Sequence, residues 1–251
     1  MRALITNDDG IDSPGLLVLA QAAVSLGYEV VVAAPAQQAS GTSASVAAVG
    51  DTGRVVSERR DLPGLDVEAW AVAAHPGLIS LIACQGGFGG KPDVLLSGIN
   101  LGANVGRAVL HSGTVGAALT AHVNDVSALA VSLDVGLDHP EPLWDKAGEL
   151  ARVVLPLLGE MPDATVLSLN VPNAGDVRGL RWAELARFGT VQSRVDEAGE
   201  NEVELVAVYS EESPAPGTDA ALLGEGYATL TALRSVERDT SVERPLPPWP
   251  A

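Results

Sequence analysis

Apolar residues along this chain alternate between two patterns. Ala3-Leu4-Ile5, Glu29 to Ala34, Asp93 to Ser97, Ala128 to Leu133 and Thr165 to Leu169 are short, nearly unbroken apolar runs. Runs of this kind suit strands of a parallel sheet that is covered on both faces. Between them, Leu16 to Leu26, Pro76 to Ala83, Thr114 to about Val123 and Leu143 to Leu158 carry apolar residues at helical spacing. Gly27 fits a helix stop. Residues 46–75 hold one or two further strands, around Arg54-Val55-Val56 and Val67 to Val72. The alternation predicts an α/β doubly wound sheet through about residue 172. The pattern then changes. Val203 to Tyr209 and Tyr227 to Leu233 read as strands with no long helix between them, which predicts an antiparallel hairpin extension. The expected organisation is a core over 1–172, an extension over 173–235 and a tail over 236–251. With four prolines and many charges from Arg234 onward, that last segment reads as a mobile tail or a strap on a neighbouring subunit.

Chemistry gathers where the strands end. In an open parallel sheet, ligands bind beyond the carboxyl ends of the strands. The first strand delivers Asn7-Asp8-Asp9-Gly10, the second leads to Ser40-Gly41-Thr42-Ser43, and the strand ending at Ser97 leads to Gly98-Ile99-Asn100. Two adjacent carboxylates about 4 Å apart repel by about 4 kcal/mol at an effective dielectric of about 20. A divalent cation reverses that sign. Asp8, Asp9, a hydroxyl and an amide oxygen form a hard, oxygen-only set, suited to Mg²⁺, Mn²⁺ or Ca²⁺ rather than zinc. Gly10 and Pro14-Gly15 read as a turn after the acids, and the competing reading of Asp8-Asp9 is a solvated Asp-rich turn. Ser112-Gly113-Thr114 precedes a helical run, so its backbone N–H groups and hydroxyls form either a phosphate site or an ordinary cap.

Composition narrows the class. Fifteen basic against 32 acidic residues give a net charge of −17, with no electrostatic footprint for a nucleic-acid duplex or an anionic membrane. The single Cys84 excludes an internal disulfide and reads as an apolar filler. Neither a leader-like start nor an 18-residue apolar run is found, so a soluble, cytoplasmic protein is expected. Other motifs fail. Gly86 to Lys91 lacks the spacing of a nucleotide loop, and no Gly-x-Ser-x-Gly elbow occurs. The four histidines show no ligand spacing; His111, beside Ser112, is a candidate proton donor.

Thr6 to Gly10 with Ser13-Pro14-Gly15, Ala34-Pro35 leading to Ser40 to Ser43, and Pro92 to Asn100 with Gly102 to Gly106 together resemble the survival protein E (SurE) nucleotidases. Ser112 to Ala118, Asn170-Val171-Pro172 and Thr218-Asp219 with Gly226-Tyr227 continue the resemblance. It implies a three-layer, Rossmann-like core with a C-terminal β-hairpin extension. It also implies a phosphomonoesterase with one divalent metal ion per subunit, acting on nucleoside monophosphates, as a homodimer or tetramer. By resemblance the metal ligands fall on Asp8, Asp9, Ser40 and Asn100, with Asp8 and Asp9 also catalytic. The phosphate positions fall on Asn104, Ser112, Gly113 and Thr114.

The chain departs from the family pattern at Arg107-Ala108, where acids are usual, at Ala74 to Ile79, and at Leu119-Thr120-Ala121. These departures support a rival expectation, a metal- and nucleotide-binding protein with reduced or altered activity. A metal-dependent glycosyltransferase is weaker still, since no separated Asp-x-Asp is present.

Overall fold

In the computed structural model, residues 1–47, 54–137, 140–189, 191–198, 202–209 and 212–236 are described. Eleven strands occur among them: β1 Arg2–Thr6, β2 Glu29–Pro35, β3 Ser57–Arg59, β4 Glu68–Val72, β5 Val94–Leu101, β6 Ser127–Asp134, β7 Val166–Pro172, β8 Leu180–Trp182, β9 Val191–Ala198, β10 Glu202–Tyr209 and β11 Ala228–Leu233. The α-helices are α1 Pro14–Ser25, α2 Pro76–Cys84, α3 Gly113–His122, α4 Trp144–Gly159 and α5 Asp219–Gly224. A nine-stranded sheet runs in the order β3-β4-β2-β1-β5-β6-β7-β11-β8. The six strands from β4 to β7 in that order are parallel to their neighbours. The expected α/β doubly wound sheet is present.

Alternation of side chains along each strand builds two cores. Ala3 and Ile5 of β1 face the layer of α1 and α4; Leu4 faces the layer of α2 and α3. Helix α4 buries Ala147, Ala151, Val154, Leu155 and Leu158 on one stripe, as its amphipathic sequence predicts. Among the described residues no helix is long and apolar enough to cross a membrane. Cys84 is buried, and burial pushes its thiol up, which fits a filler and not a nucleophile.

Three expectations shift. Pro14-Gly15 is the first turn of α1, not a loop: Ser13 caps the helix by accepting from the Leu16 N–H, and proline at the first helical position loses no hydrogen bond. The strand expected at 54–56 forms at Ser57–Arg59. The expected pairing of 203–209 with 227–233 is wrong. The hairpin is β9 with β10, while β11 joins the main sheet antiparallel to β7 and carries β8 at its outer edge. Buried Ala228 and Leu230 share the α1–α4 core, and that apolar face places β11 in the large sheet. Past its first residue, the expected tail 236–251 lies outside the described residues.

Strand order fixes where a site can form. From β1 the chain goes to β2 on one side, and β5 pairs on the other. The crevice beyond β1 and β5 is therefore the topological switch point.

Candidate metal and phosphate site

The turn after β1 is closed by its own polar residues. Asn7 donates from Nδ2 to the Gly10 carbonyl at 3.0 Å and accepts the Gly10 N–H on Oδ1 at 3.1 Å. Gly10 takes a positive φ of 99°, where a side chain would be strained. Asp8 and Asp9 are thereby presented at the switch point. The Asp8 carbonyl accepts the Ala39 N–H at 2.7 Å, which hooks the loop after β2 onto the same turn.

The two carboxylates have different surroundings. Asp8 is buried, and Oδ1 accepts the Thr114 hydroxyl at 2.5 Å. Burial pushes its carboxyl above the ordinary value; the Thr114 hydroxyl and the backbone N–H groups of Thr114 and Gly113 pull against that rise. Asp9 is half-buried, and Oδ2 accepts the Leu101 N–H at 3.1 Å. Burial pushes Asp9 from 3.8 up to about 6; the Leu101 bond opposes this, and the Asp8 charge adds to it. Helix α3 approaches so closely that a Cβ on Gly113 would stand 2.9 Å from both Cβ and Oδ2 of Asp8. Glycine is what lets the helix start meet the acid.

Asn100 lies in β5, opposite Ser132 of β6, because the strand runs past its expected end at Ser97. Its Nδ2 donates to the Gly102 carbonyl at 2.8 Å, which leaves its oxygen as the end for a ligand. Ser40 is exposed on the loop after β2, and its Oγ accepts from Gln38 Nε2 at 3.0 Å. Ser112 caps α3 by accepting the Val115 N–H at 3.1 Å, so its own proton remains for another acceptor. Thr114 differs from the expected phosphate donor: its one hydroxyl proton goes to Asp8, and its backbone N–H also faces that carboxylate. Arg107 and His111 are both exposed on the 3₁₀ helix Gly106–His111 that precedes Ser112.

Sequence reasoning missed the supports. Asn170, buried at the end of β7, accepts the Asn104 N–H at 2.8 Å and donates to the Asn104 carbonyl at 2.9 Å. Ser132 Oγ accepts from Asn104 Nδ2 at 2.8 Å. Asp219 is 1% exposed and accepts three backbone N–H groups: Gly106 at 2.7 Å, Ala186 at 2.9 Å and Ala220 at 2.8 Å. A polar residue inside an apolar strand, such as Ser132 or Asn170, was the available signal.

The oxygen donors fit a hard cation. Among the described residues no ion pair satisfies Asp8 or Asp9, and no group of three His, Cys, Asp or Glu side chains gathers. Two carboxylates with an amide and a hydroxyl leave positions for water and substrate, as Mg²⁺-type sites do. The buried hydroxyls of Thr6 and Ser97, paired across β1 and β5 below the acids, have no protein partner, so the crevice floor retains polar capacity.

The profile of the family described as "Survival protein SurE" matches residues 3–191. The chain belongs to the SurE family. A 5'-nucleotidase SurE from Desulforamulus reducens is 31% identical over 99% of this chain and 98% of its own. A 5'-nucleotidase SurE 1 from Burkholderia lata is 38% identical, covering 93% and 90%. The crystal structure of the SurE protein from Aquifex aeolicus superposes with a TM-score of 0.75 at 26% identity, over 93% of each chain. The SurE fold is thus supported by the comparisons as well as by the strand order.

Proposed function

We propose that this SurE chain is a divalent-metal-dependent 5'-nucleotidase that hydrolyses nucleoside monophosphates to nucleoside and phosphate. The observation that carries it is the pair Asp8–Asp9 at the switch point, both desolvated, with Asp8 against the start of α3. Full-length similarity to proteins named 5'-nucleotidase supports it. Asp8, Asp9, Ser40 and Asn100 would hold one ion, Mg²⁺, Mn²⁺ or similar. When bound, the ion neutralises phosphoryl charge and lowers the pKa of a coordinated water.

The chain's own groups do the rest. Thr114 fixes Asp8 through Oδ1. Asp9 keeps one oxygen on Leu101 and has the other for orienting or deprotonating the attacking water. Ser112 Oγ and Asn104 Nδ2 donate to the phosphoryl oxygens, while the N–H groups of Gly113 and Thr114 hold Asp8 beside them. Asn170 and Ser132 hold Asn104 in place. Trp182, exposed on the outermost strand β8, supports assembly into a dimer or tetramer.

A phosphate-release assay over the nucleoside 5'-monophosphates with Mn²⁺ and with Mg²⁺ tests the reading. Turnover with either ion and none in chelator is expected; no release from any nucleotide overturns it. Thr114→Val, which keeps the shape and removes the proton on Asp8, should weaken Mn²⁺ binding by about tenfold. Thr114→Ser should restore most of it. Calorimetric Mn²⁺ titration reads the difference, and equal affinities for the two variants would show that the hydroxyl does not position Asp8.

A further inference from the structure

A separate hollow opens at the same end of the sheet as the β1–β5 crevice. A cavity of about 250 Å³ lies between the exits of β2 and β4, with Pro35, Ala36, Gln38, Val72, Ala74 and His75 among its walls. Val72 and Ala74 are buried apolar side chains, and no lining residue is Asp, Glu, Lys or Arg. His75 sits at the start of α2 without capping it, and its Nδ1 is buried with no hydrogen-bond partner. The loop that walls the cavity is the one hooked to the acids, through Ala39 N–H to the Asp8 carbonyl at 2.7 Å and Ile11 N–H to the Pro35 carbonyl at 2.9 Å. Strand order β4-β2-β1-β5 sets this cavity two strand spacings, about 10 Å, from the β1–β5 crevice.

We propose that this cavity receives the nucleobase of the substrate and that His75 is a specificity-determining residue; the proposal rests on the nucleotidase reading above. Whole small-molecule sites occupy about 300–1,000 Å³, so a smaller cavity fits one ring system whose phosphate is held elsewhere. Apolar walls suit a flat base. The uncharged polar lining, Gln38 and the imidazole, offers edges for its hydrogen bonds and no counter-charge for a second phosphate. A cavity of about 220 Å³ on the opposite flank, lined by Ala103, Ala108 and Asp134, is the rival. Its acid already takes the Gly136 N–H at 3.1 Å, whereas the His75 ring retains unspent capacity.

The test compares adenosine 5'-monophosphate with ribose 5-phosphate, which lacks the base. His75→Ala, and Ala36→Leu, which fills the cavity from an exposed position, should each lower the ratio of the two kcat/KM values about fivefold, through KM. Calorimetry should show adenosine binding to the unaltered protein and its loss in Ala36→Leu. If nucleotides are hydrolysed but both variants leave the ratio unchanged, or if only Asp134→Asn lowers it, the cavity assignment is overturned and the nucleotidase stands. If no nucleotide is hydrolysed but adenosine binding is lost in Ala36→Leu, the cavity stands and the nucleotidase reading falls. If adenosine does not bind at all, the cavity assignment is overturned.

Discussion

Asp9→Asn should lose about a thousandfold in kcat, and with it the stabilisation that Mn²⁺ confers, while melting no lower than the unaltered protein in chelator at pH 7. Two adjacent desolvated carboxylates make the ion-free site costly. Burial raises Asp9 from 3.8 to about 6, with the Asp8 charge contributing. At full strength that rise corresponds to about 3 kcal/mol, and about half as much for a half-buried group in contact with water. The sign follows from proton counting. The folded chain binds the proton more tightly than the unfolded one, so the penalty is absent below the unfolded value. It grows as pH rises from 3.8 and is complete above about 6. In chelator the unaltered protein should therefore lose stability across that window, and Asp9→Asn should flatten the slope. Saturating Mn²⁺ should reverse it, because the ion requires ionised ligands. Melting curves from pH 4 to 7 with and without Mn²⁺ decide the matter. An unaltered protein with no Mn²⁺-dependent shift would sink the metal site.

The second large effect is expected at Asp219. Its carboxylate satisfies three backbone N–H groups from three separate segments with almost no access to water. Asp219→Ala strands those donors and should cost about 3 kcal/mol, a fall of about 9 °C in Tm for a chain of this size. Asp219→Asn keeps one acceptor oxygen but sets an amide NH₂ against one of the donors. A smaller loss is expected there, together with lower turnover, because Gly106 and the neighbouring Asn104 are no longer fixed. A Tm within about 2 °C of the unaltered protein for Asp219→Ala would remove Asp219 from the anchor role.

What sequence shows and hides follows from locality. The central parallel strands were legible because a strand covered on both faces must be apolar throughout, and Val30-Val31-Val32 has no other use. Asp8-Asp9 was legible because adjacent acids at a strand exit are conspicuous. Strand β8, Leu180–Trp182, was not: three residues with a central arginine carry no period. The partner of β11 was not legible either, since pairing is chosen by which face finds the core, and that choice lies in β7 some sixty residues earlier. The Thr114 hydroxyl could equally have served a phosphate, a cap or an acid, and only the approach of α3 through Gly113 assigns it to Asp8.

Several of the bonds that hold the site join residues far apart in the chain. Thr114 reaches back 106 residues to Asp8, Leu101 reaches 92 to Asp9, and Asp219 reaches 113 to Gly106. Within this sequence strand β1 precedes every other element, yet its acids find their orienting partners about a hundred residues further on. Parallel pairing of distant segments is slow, because loop closure must precede its reward. During refolding, protection by Mn²⁺ should therefore lag behind the recovery of helical signal. The carboxylates that precede every other site residue in this sequence should then be among the last groups to reach their working positions.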